Sequence, residues 1–245
     1  VFTHSHSDLN KTDKHDSQRI ISIMFSLDHD LGEFYSLADK DPVLKHAKND
    51  LYGLKIQTSP TFFEGMIIGF CLVWASFQRA VNMIDGLVRE FGPRLGAEYV
   101  FPSAKELAKA SVDKLKELRL GFRAKRIKWF STQVAEGKLD LERLISLPTE
   151  ILRKELMKIK WISQWLAEGT LLWRVKRTDA FPIDVWSVKV FRAFFAEVRN
   201  ETMDGIKEFA RRRWGNYRGL AFYYLMCDRQ KLSKRLNIVL DEKWE

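Results

Sequence analysis

The fold turns on one stretch, Pro148–Phe195: PTEILRKELMKIKWISQWLAEGTLLWRVKRTDAFPIDVWSVKVFRAFF. Residues 148–157 read as a helix with Pro148 at its start, where a missing N–H costs nothing. A short tight segment, Lys158 to Gln164, follows. A second helix starts near Trp165 and runs over 165–175. After Arg177 the periodicity stops. Phe181-Pro182-Ile183-Asp184-Val185 makes a turn, and a further helix covers 185–199. Taken alone, Asp184 is a helix cap, a common role for aspartate in that position.

The same reading extends outward. Residues 61–91 step through apolar positions every three or four residues, which predicts one or two helices between Pro60-Thr61 and Gly92-Pro93. The segment is apolar around much of its circumference and is expected at the centre of the fold. Ser103 with Glu106 forms a capping box that opens a helix over 103–116. Gly121 closes the next helix, 112–119. Helices are also expected over 123–136, 140–146, 205–212 and 217–235. Strand signals are weak, the best being before residue 60 and in the final NIVLDEKW. An all-α core is the result, with a small N-terminal extension that could add minor β structure.

The 245-residue chain is 46% hydrophobic and carries a net charge of +9. That suits one large or two small domains and a polyanionic partner, nucleic acid or an anionic membrane surface. The charge is clustered. Residues 105–129 hold nine Lys/Arg against three Asp/Glu, 153–177 seven against two, and 205–235 nine against two. Trp129, Trp161, Trp165, Trp173, Trp186 and Trp214 are interleaved with these cations. Core packing accounts for most such tryptophans, while one or two suffice to stack on a base.

Other chemistry is excluded by inventory. Cys71 and Cys227 form no CxxC, so neither a disulfide framework nor a cysteine-ligated metal or cluster is expected, and an intracellular setting follows. All five histidines lie at or before His46, which removes Ser-His-Asp and Cys-His mechanisms from the main body. His4, His6 and Asp8 could hold a metal, but they sit in a polar stretch, 1–18, expected to be mobile. No cofactor is called for. The longest apolar run, Gly65 to Ala75, has 11 residues, short of the ~20 that span a membrane, and no signal peptide is visible.

The hairpin-like Lys160-Trp161-Ile162-Ser163-Gln164-Trp165-Leu166-Ala167 and the Phe181-Pro182-Ile183-Asp184-Val185 turn resemble the helix-hairpin-helix DNA glycosylase superfamily. Asp184 lies nineteen residues beyond Trp165, the family's spacing. Phe63-Glu64, Glu90-Phe91-Gly92-Pro93-Arg94-Leu95, Phe101-Pro102-Ser103 and Leu120-Gly121-Phe122-Arg123-Ala124-Lys125 resemble segments of the 8-oxoguanine and alkylpurine branches. Trp214-Gly215-Asn216-Tyr217-Arg218-Gly219-Leu220-Ala221 is similar to a C-terminal segment of the alkylpurine (3-methyladenine) branch. The resemblance covers about residues 30–228 and implies two helical subdomains with a cleft. The expected divisions are 1–58 as N-terminal extension, 59–150 as a helical subdomain, and 151–235 as the hairpin and aspartate subdomain.

The resemblance implies a catalytic Asp184 and a hairpin that grips a DNA phosphate through Lys158, Lys160, Trp161, Ile162, Ser163 and Gln164. It implies a base pocket at Trp165 and Trp74, with Trp186 as a third candidate, a wedge at Phe122, and an opposite-strand contact at Arg123. Three departures stand out. Trp161 and Ser163 replace the hairpin glycines. Val73-Trp74 replaces a frequent Gln-Gln pair. Trp165 stands where bifunctional members carry a Schiff-base lysine, as it does in the alkylpurine branch. The reading is a monofunctional enzyme, monomeric, acting on an alkylated or deaminated purine in double-stranded DNA. Two alternatives stay open: an 8-oxoguanine glycosylase with lyase activity through Lys158 or Lys160, and a non-catalytic protein that binds damaged DNA.

Overall fold

The computed structural model describes residues 10–240. His4, His6 and Asp8, and the last residues of NIVLDEKW, lie outside them. Three helices form the N-terminal part: α1 (Lys11–Phe25), α2 (Gly32–Asp39) and α3 (Leu44–Asp50). Two corrections follow. Asn10 and Asp13 form a capping box that starts α1, so residues 11–18 are helical. The extension also contributes no strand among the described residues.

The apolar stretch after Pro60 forms two helices, α4 (Phe62–Leu72) and α5 (Phe77–Phe91). Thr61 caps the first and Ser76 the second. The break falls at Trp74, whose φ of 53° is left-handed. The strands are β1 (Arg94–Leu95) and β2 (Glu98–Tyr99), an antiparallel hairpin pairing Arg94 with Tyr99 and Leu95 with Glu98. Among the described residues, strand structure is thus found after α5 and not before residue 60 or over 237–240.

Four short helices and one longer one lead to the decisive stretch: α6 (Ala104–Lys109), α7 (Val112–Glu117), α8 (Arg123–Ala135), α9 (Leu141–Ile145) and α10 (Thr149–Lys158). The Ser103–Glu106 capping box is present. The run from 103 breaks at Ala110, where Ser111 starts a new helix with its own cap. α11 (Gln164–Gly169) continues into one π turn, Thr170–Arg174, and is followed by α12 (Val185–Phe194), α13 (Met203–Trp214) and α14 (Arg218–Arg235).

One continuous apolar core joins these helices. α4 lies inside it, with Met66, Ile67, Phe70 and Cys71 buried. Gly69 permits its close approach to α11, since a Cβ there would stand 2.7 Å from Leu166 Cδ1. The N-terminal helices dock on the C-terminal ones. Asp41 accepts from Arg213 Nε at 2.6 Å and from Trp214 Nε1 at 2.8 Å, and Tyr224 donates to Leu54 O at 2.7 Å. Trp214 is 1% exposed, a core tryptophan with its N–H satisfied, as buried indoles require. No described helix is long and apolar enough to cross a membrane.

Candidate active site and DNA-facing surface

The hairpin joins α10 to α11. Ile162 N–H donates to Ile159 O at 3.1 Å, closing the turn. Ser163 then caps α11 by accepting from Leu166 N at 3.3 Å. Between them Trp161 adopts a φ of 68°. This is the left-handed conformation that glycine adopts without cost and other L-residues resist. The indole meets Trp129 edge-on at 5.6 Å and carries Lys160 Nζ 4.4 Å from its ring centroid. Ile162 is buried and anchors the turn from inside, so only its backbone can face a ligand. Lys158, Lys160, Ser163 and Gln164 are exposed. Lys158 pairs with Glu155 at 2.6 Å.

The aspartate turn is fixed from below by an ion network built on one buried carboxylate. Glu168, on α11, is 9% exposed inside an apolar run. Its carboxylate accepts from Arg153 Nε at 2.6 Å and from the Phe181 N–H at 2.9 Å. Arg153 also pairs with Glu150 and, at 3.5 Å, with Asp179. Asp179 in turn meets Arg218 at 3.4 Å. Burial opposes the charge of Arg153, but its bonds to Glu150 and Glu168 outweigh that and raise its pKa above the ordinary value. Gly219 completes the support by donating to Thr178 O at 2.6 Å. A Cβ at Gly219 would collide with the Ala180 carbonyl.

On this base Asp184 caps α12. Its Oδ1 accepts from Ser187 N at 2.7 Å and lies 2.8 Å from Ser187 Oγ, while its own N–H donates to Ser187 Oγ at 2.7 Å. Oδ2 has no hydrogen-bond partner among the described residues, and the side chain is partly exposed. One oxygen holds the helix and the other makes no hydrogen bond among the described residues. The cap and a reactive role are therefore compatible in one side chain.

A second feature joins the α4–α5 turn to the start of α8. Arg123, 2% exposed, donates from Nε to Val73 O at 3.0 Å, from Nη2 to the same carbonyl, and from Nη2 to Trp74 O at 2.8 Å. Burial and the nearby Arg79 lower its pKa. The expected contact of Arg123 with an opposite DNA strand is corrected accordingly: the guanidinium is buried and braces the Trp74 turn. Trp74 itself is 85% exposed, with Phe77 at 78% and Phe122 at 47%. An indole so open stands on a projecting turn.

The remaining tryptophans separate. Trp165 is half-buried on α11 and meets Trp173 edge-on at 6.0 Å. Trp186 carries Arg229 at 4.9 Å over its ring and lines a concavity with Lys189, Val190, Ala193, Val239 and Leu240. That position puts it with the C-terminal segment, and it makes ring contact with neither Trp74 nor Trp165. Sequence reasoning missed Glu168, Arg153 and Asp179, although a lone acid in Trp165-Leu166-Ala167-Glu168-Gly169-Thr170-Leu171-Leu172 was a usable signal.

Residues 74–216 match the model of the HhH-GPD superfamily base excision DNA repair proteins. The chain belongs to this superfamily. A DNA-3-methyladenine glycosylase of Bacillus subtilis (strain 168) is 29% identical over 210 residues, covering 82% of this chain and 68% of that protein. An 8-oxoguanine glycosylase/lyase of Clostridium acetobutylicum, solved with double-stranded DNA containing cytosine opposite 8-oxoG, superposes with a TM-score of 0.77. It is 25% identical and covers 89% of this chain and 77% of that one. The 3-methyladenine DNA-glycosylase of Archaeoglobus fulgidus shares the fold at a TM-score of 0.77 and 24% identity, with 91% and 77% covered. In this chain the hairpin and the Asp184 turn precede the successive α-helices α11 and α12 and are tied together through Glu168.

Proposed function

We propose that this HhH-GPD protein is a monofunctional DNA glycosylase that hydrolyses the N-glycosidic bond of an alkylated or deaminated purine in double-stranded DNA. It acts as a monomer, with the cleft between 59–150 and 151–235 receiving the damaged nucleotide. The observation that carries the reading is the divided carboxylate of Asp184, one oxygen bonded to Ser187 and the other open.

The target base first leaves the duplex. Trp165 stacks against it, and Trp74 on its exposed turn, with Phe122, fills the space left in the helix. The bond from C1′ to the base nitrogen breaks, and its electron pair departs with the base. Positive charge then spreads over C1′ and O4′ of the sugar. The Asp184 carboxylate stabilises it. Water adds to C1′ and loses its proton to solvent. The hairpin N–H groups, with Lys158 and Lys160, hold a backbone phosphate.

The electron-rich indole of Trp165 favours electron-poor alkylated purines, by the logic of cation–π attraction. The second reading, an 8-oxoguanine glycosylase/lyase, is favoured by the Clostridium acetobutylicum relative. It needs an amine at the sugar, and both Lys158 and Lys160 are exposed, whereas a nucleophilic lysine is activated by desolvation.

The test is base release from duplexes each holding one alkylated adenine, hypoxanthine, 8-oxoguanine or uracil, with and without borohydride. Release of an alkylated or deaminated purine with no trapped adduct is expected. Asp184→Asn should lower release by at least about 100-fold with fold and DNA binding retained. Full activity of that variant removes Asp184 from the mechanism. Tight binding without release of any base favours the non-catalytic alternative.

A further inference from the structure

Between the hairpin and the start of α8 lies a concavity of about 500 Å³, lined by Lys116, Gly121, Phe122, Lys125, Arg126 and Trp161. The volume is within the range of sites that take small organic groups, about 300–1,000 Å³. Its lining holds three cations, two aromatic rings and no carboxylate. Lys116 pairs with Asp113 at 2.9 Å outside the lining. Lys125 has no hydrogen-bond or ion-pair partner among the described residues. The Arg126 guanidinium lies 4.6 Å from the Phe122 ring centroid, and Lys160 adds a fourth cation beside Trp161.

Trp161 is the residue that needs explaining. Its backbone is left-handed, φ 68°, so glycine would sit there with less strain. Its side chain is only half-buried, so core packing does not absorb the whole ring. A track for phosphates alone needs cations and no rings. Rings interleaved with cations suit an unstacked base together with its phosphate.

We propose that this concavity is a second nucleotide subsite, for an unpaired deoxynucleotide of single-stranded DNA. The base lies against the Trp161 indole and the Arg126–Phe122 pair, and the flanking phosphates meet Lys116 and Lys125. Asp184 is not part of it, while Phe122 and Trp161 are shared with the duplex-binding surface proposed above. The inference rests on the DNA-binding reading and adds to it an affinity for single-stranded or gapped DNA that recognition of an intact duplex does not require.

The experiment measures fluorescence anisotropy of a labelled thymidine octanucleotide and of a labelled blunt-ended duplex, using the full chain. The octanucleotide should bind saturably and weaken with salt. Trp161→Gly, which suits the left-handed turn, should weaken it about fivefold or more. The double variant Lys116→Glu/Lys125→Glu should weaken it about tenfold or more. In each case the duplex should lose less than the single strand. Duplex binding without octanucleotide binding overturns the subsite alone. So does unchanged octanucleotide affinity in both variants. Parallel losses for duplex and single strand overturn it too, by showing a general phosphate track. Failure to bind either DNA overturns the DNA-binding reading itself.

Discussion

Glu168 and Phe181 are joined by a hydrogen bond from the Phe181 N–H to the Glu168 carboxylate at 2.9 Å. Glu168 belongs to the hairpin's second helix, and Phe181 opens the turn that ends at Asp184. The segment proposed to grip the phosphate and the one proposed to act on the sugar therefore share one buried anion. A displacement of the hairpin helix is therefore expected to reach the aspartate turn through this bond.

Glu168→Gln is expected to separate positioning from binding. The amide has one acceptor oxygen for two donors, so when that oxygen takes the Phe181 N–H its NH2 faces the Arg153 guanidinium, donor against donor. Removing one side of such a pair costs about 3–5 kcal/mol at most, and an isosteric amide should cost less. Single-turnover base release should fall about tenfold, since small misplacements of a reacting group are costly, while duplex affinity changes little. Glu168→Asp, which retains the charge, should recover part of the rate. Unchanged kinetics in Glu168→Gln would mean that the turn holds Asp184 without this bond.

Arg123 and Trp74 should behave as one unit. Trp74→Ala removes the projecting ring. Arg123→Met removes the donors to the Val73 and Trp74 carbonyls while roughly preserving side-chain volume. Each should weaken binding to lesion duplexes. The double variant should lose clearly less than the two single losses added, because residues acting through one contact are not additive. Additive losses would show that Arg123 stabilises the fold without shaping the turn. A melting measurement on each variant separates those cases, since loss of buried donors also costs stability.

Much of the fold was readable because helices announce themselves by spacing and caps. The Ser103–Glu106 box and the Asp184 cap lie where residue type alone put them. Breaks were harder. The split at Trp74 depends on a left-handed tryptophan, which propensity disfavours and only the Arg123 bonds explain. The break at Ala110 depends on Ser111 capping again. The hairpin was readable as a tight segment, but not that Trp161 would adopt a glycine-like conformation. Glu168 and Arg153 were missed because they lie fifteen residues apart, and pairing across a turn leaves no periodic trace. Arg123 was misassigned because a basic residue in a basic segment reads as a surface charge, while its burial is decided by carbonyls fifty residues away.

Lys158 and Lys160 are predicted to serve affinity and not covalent chemistry. The Lys158→Ala/Lys160→Ala double variant should bind duplex more weakly, and the slope of log affinity against log salt should become shallower by about one to two units. Base release at saturating enzyme should stay within a few-fold of the parent protein. Borohydride should trap no adduct in either. An adduct seen with the parent protein and lost in the double variant would establish the lyase alternative.

Asp228, on α14, should make the fold sensitive to pH. It is 2% exposed, and neither carboxylate oxygen has a hydrogen-bond partner. Burial, then the neighbouring Asp50, push its pKa up to about 6, against the pull of Lys231 and Arg235. The native state therefore keeps a proton that the unfolded chain releases near its ordinary value of 3.8. Between those values the folded form binds more protons, so stability falls as pH rises and the loss is complete above about 6. Two pKa units set its ceiling at about 3 kcal/mol. Asp228→Asn removes the titrating group, and its amide can donate to Asp50. The variant should melt at higher temperature than the parent protein at pH 7.5, and the difference should vanish toward pH 4. A difference independent of pH would mean that the gain comes from packing and not from this proton.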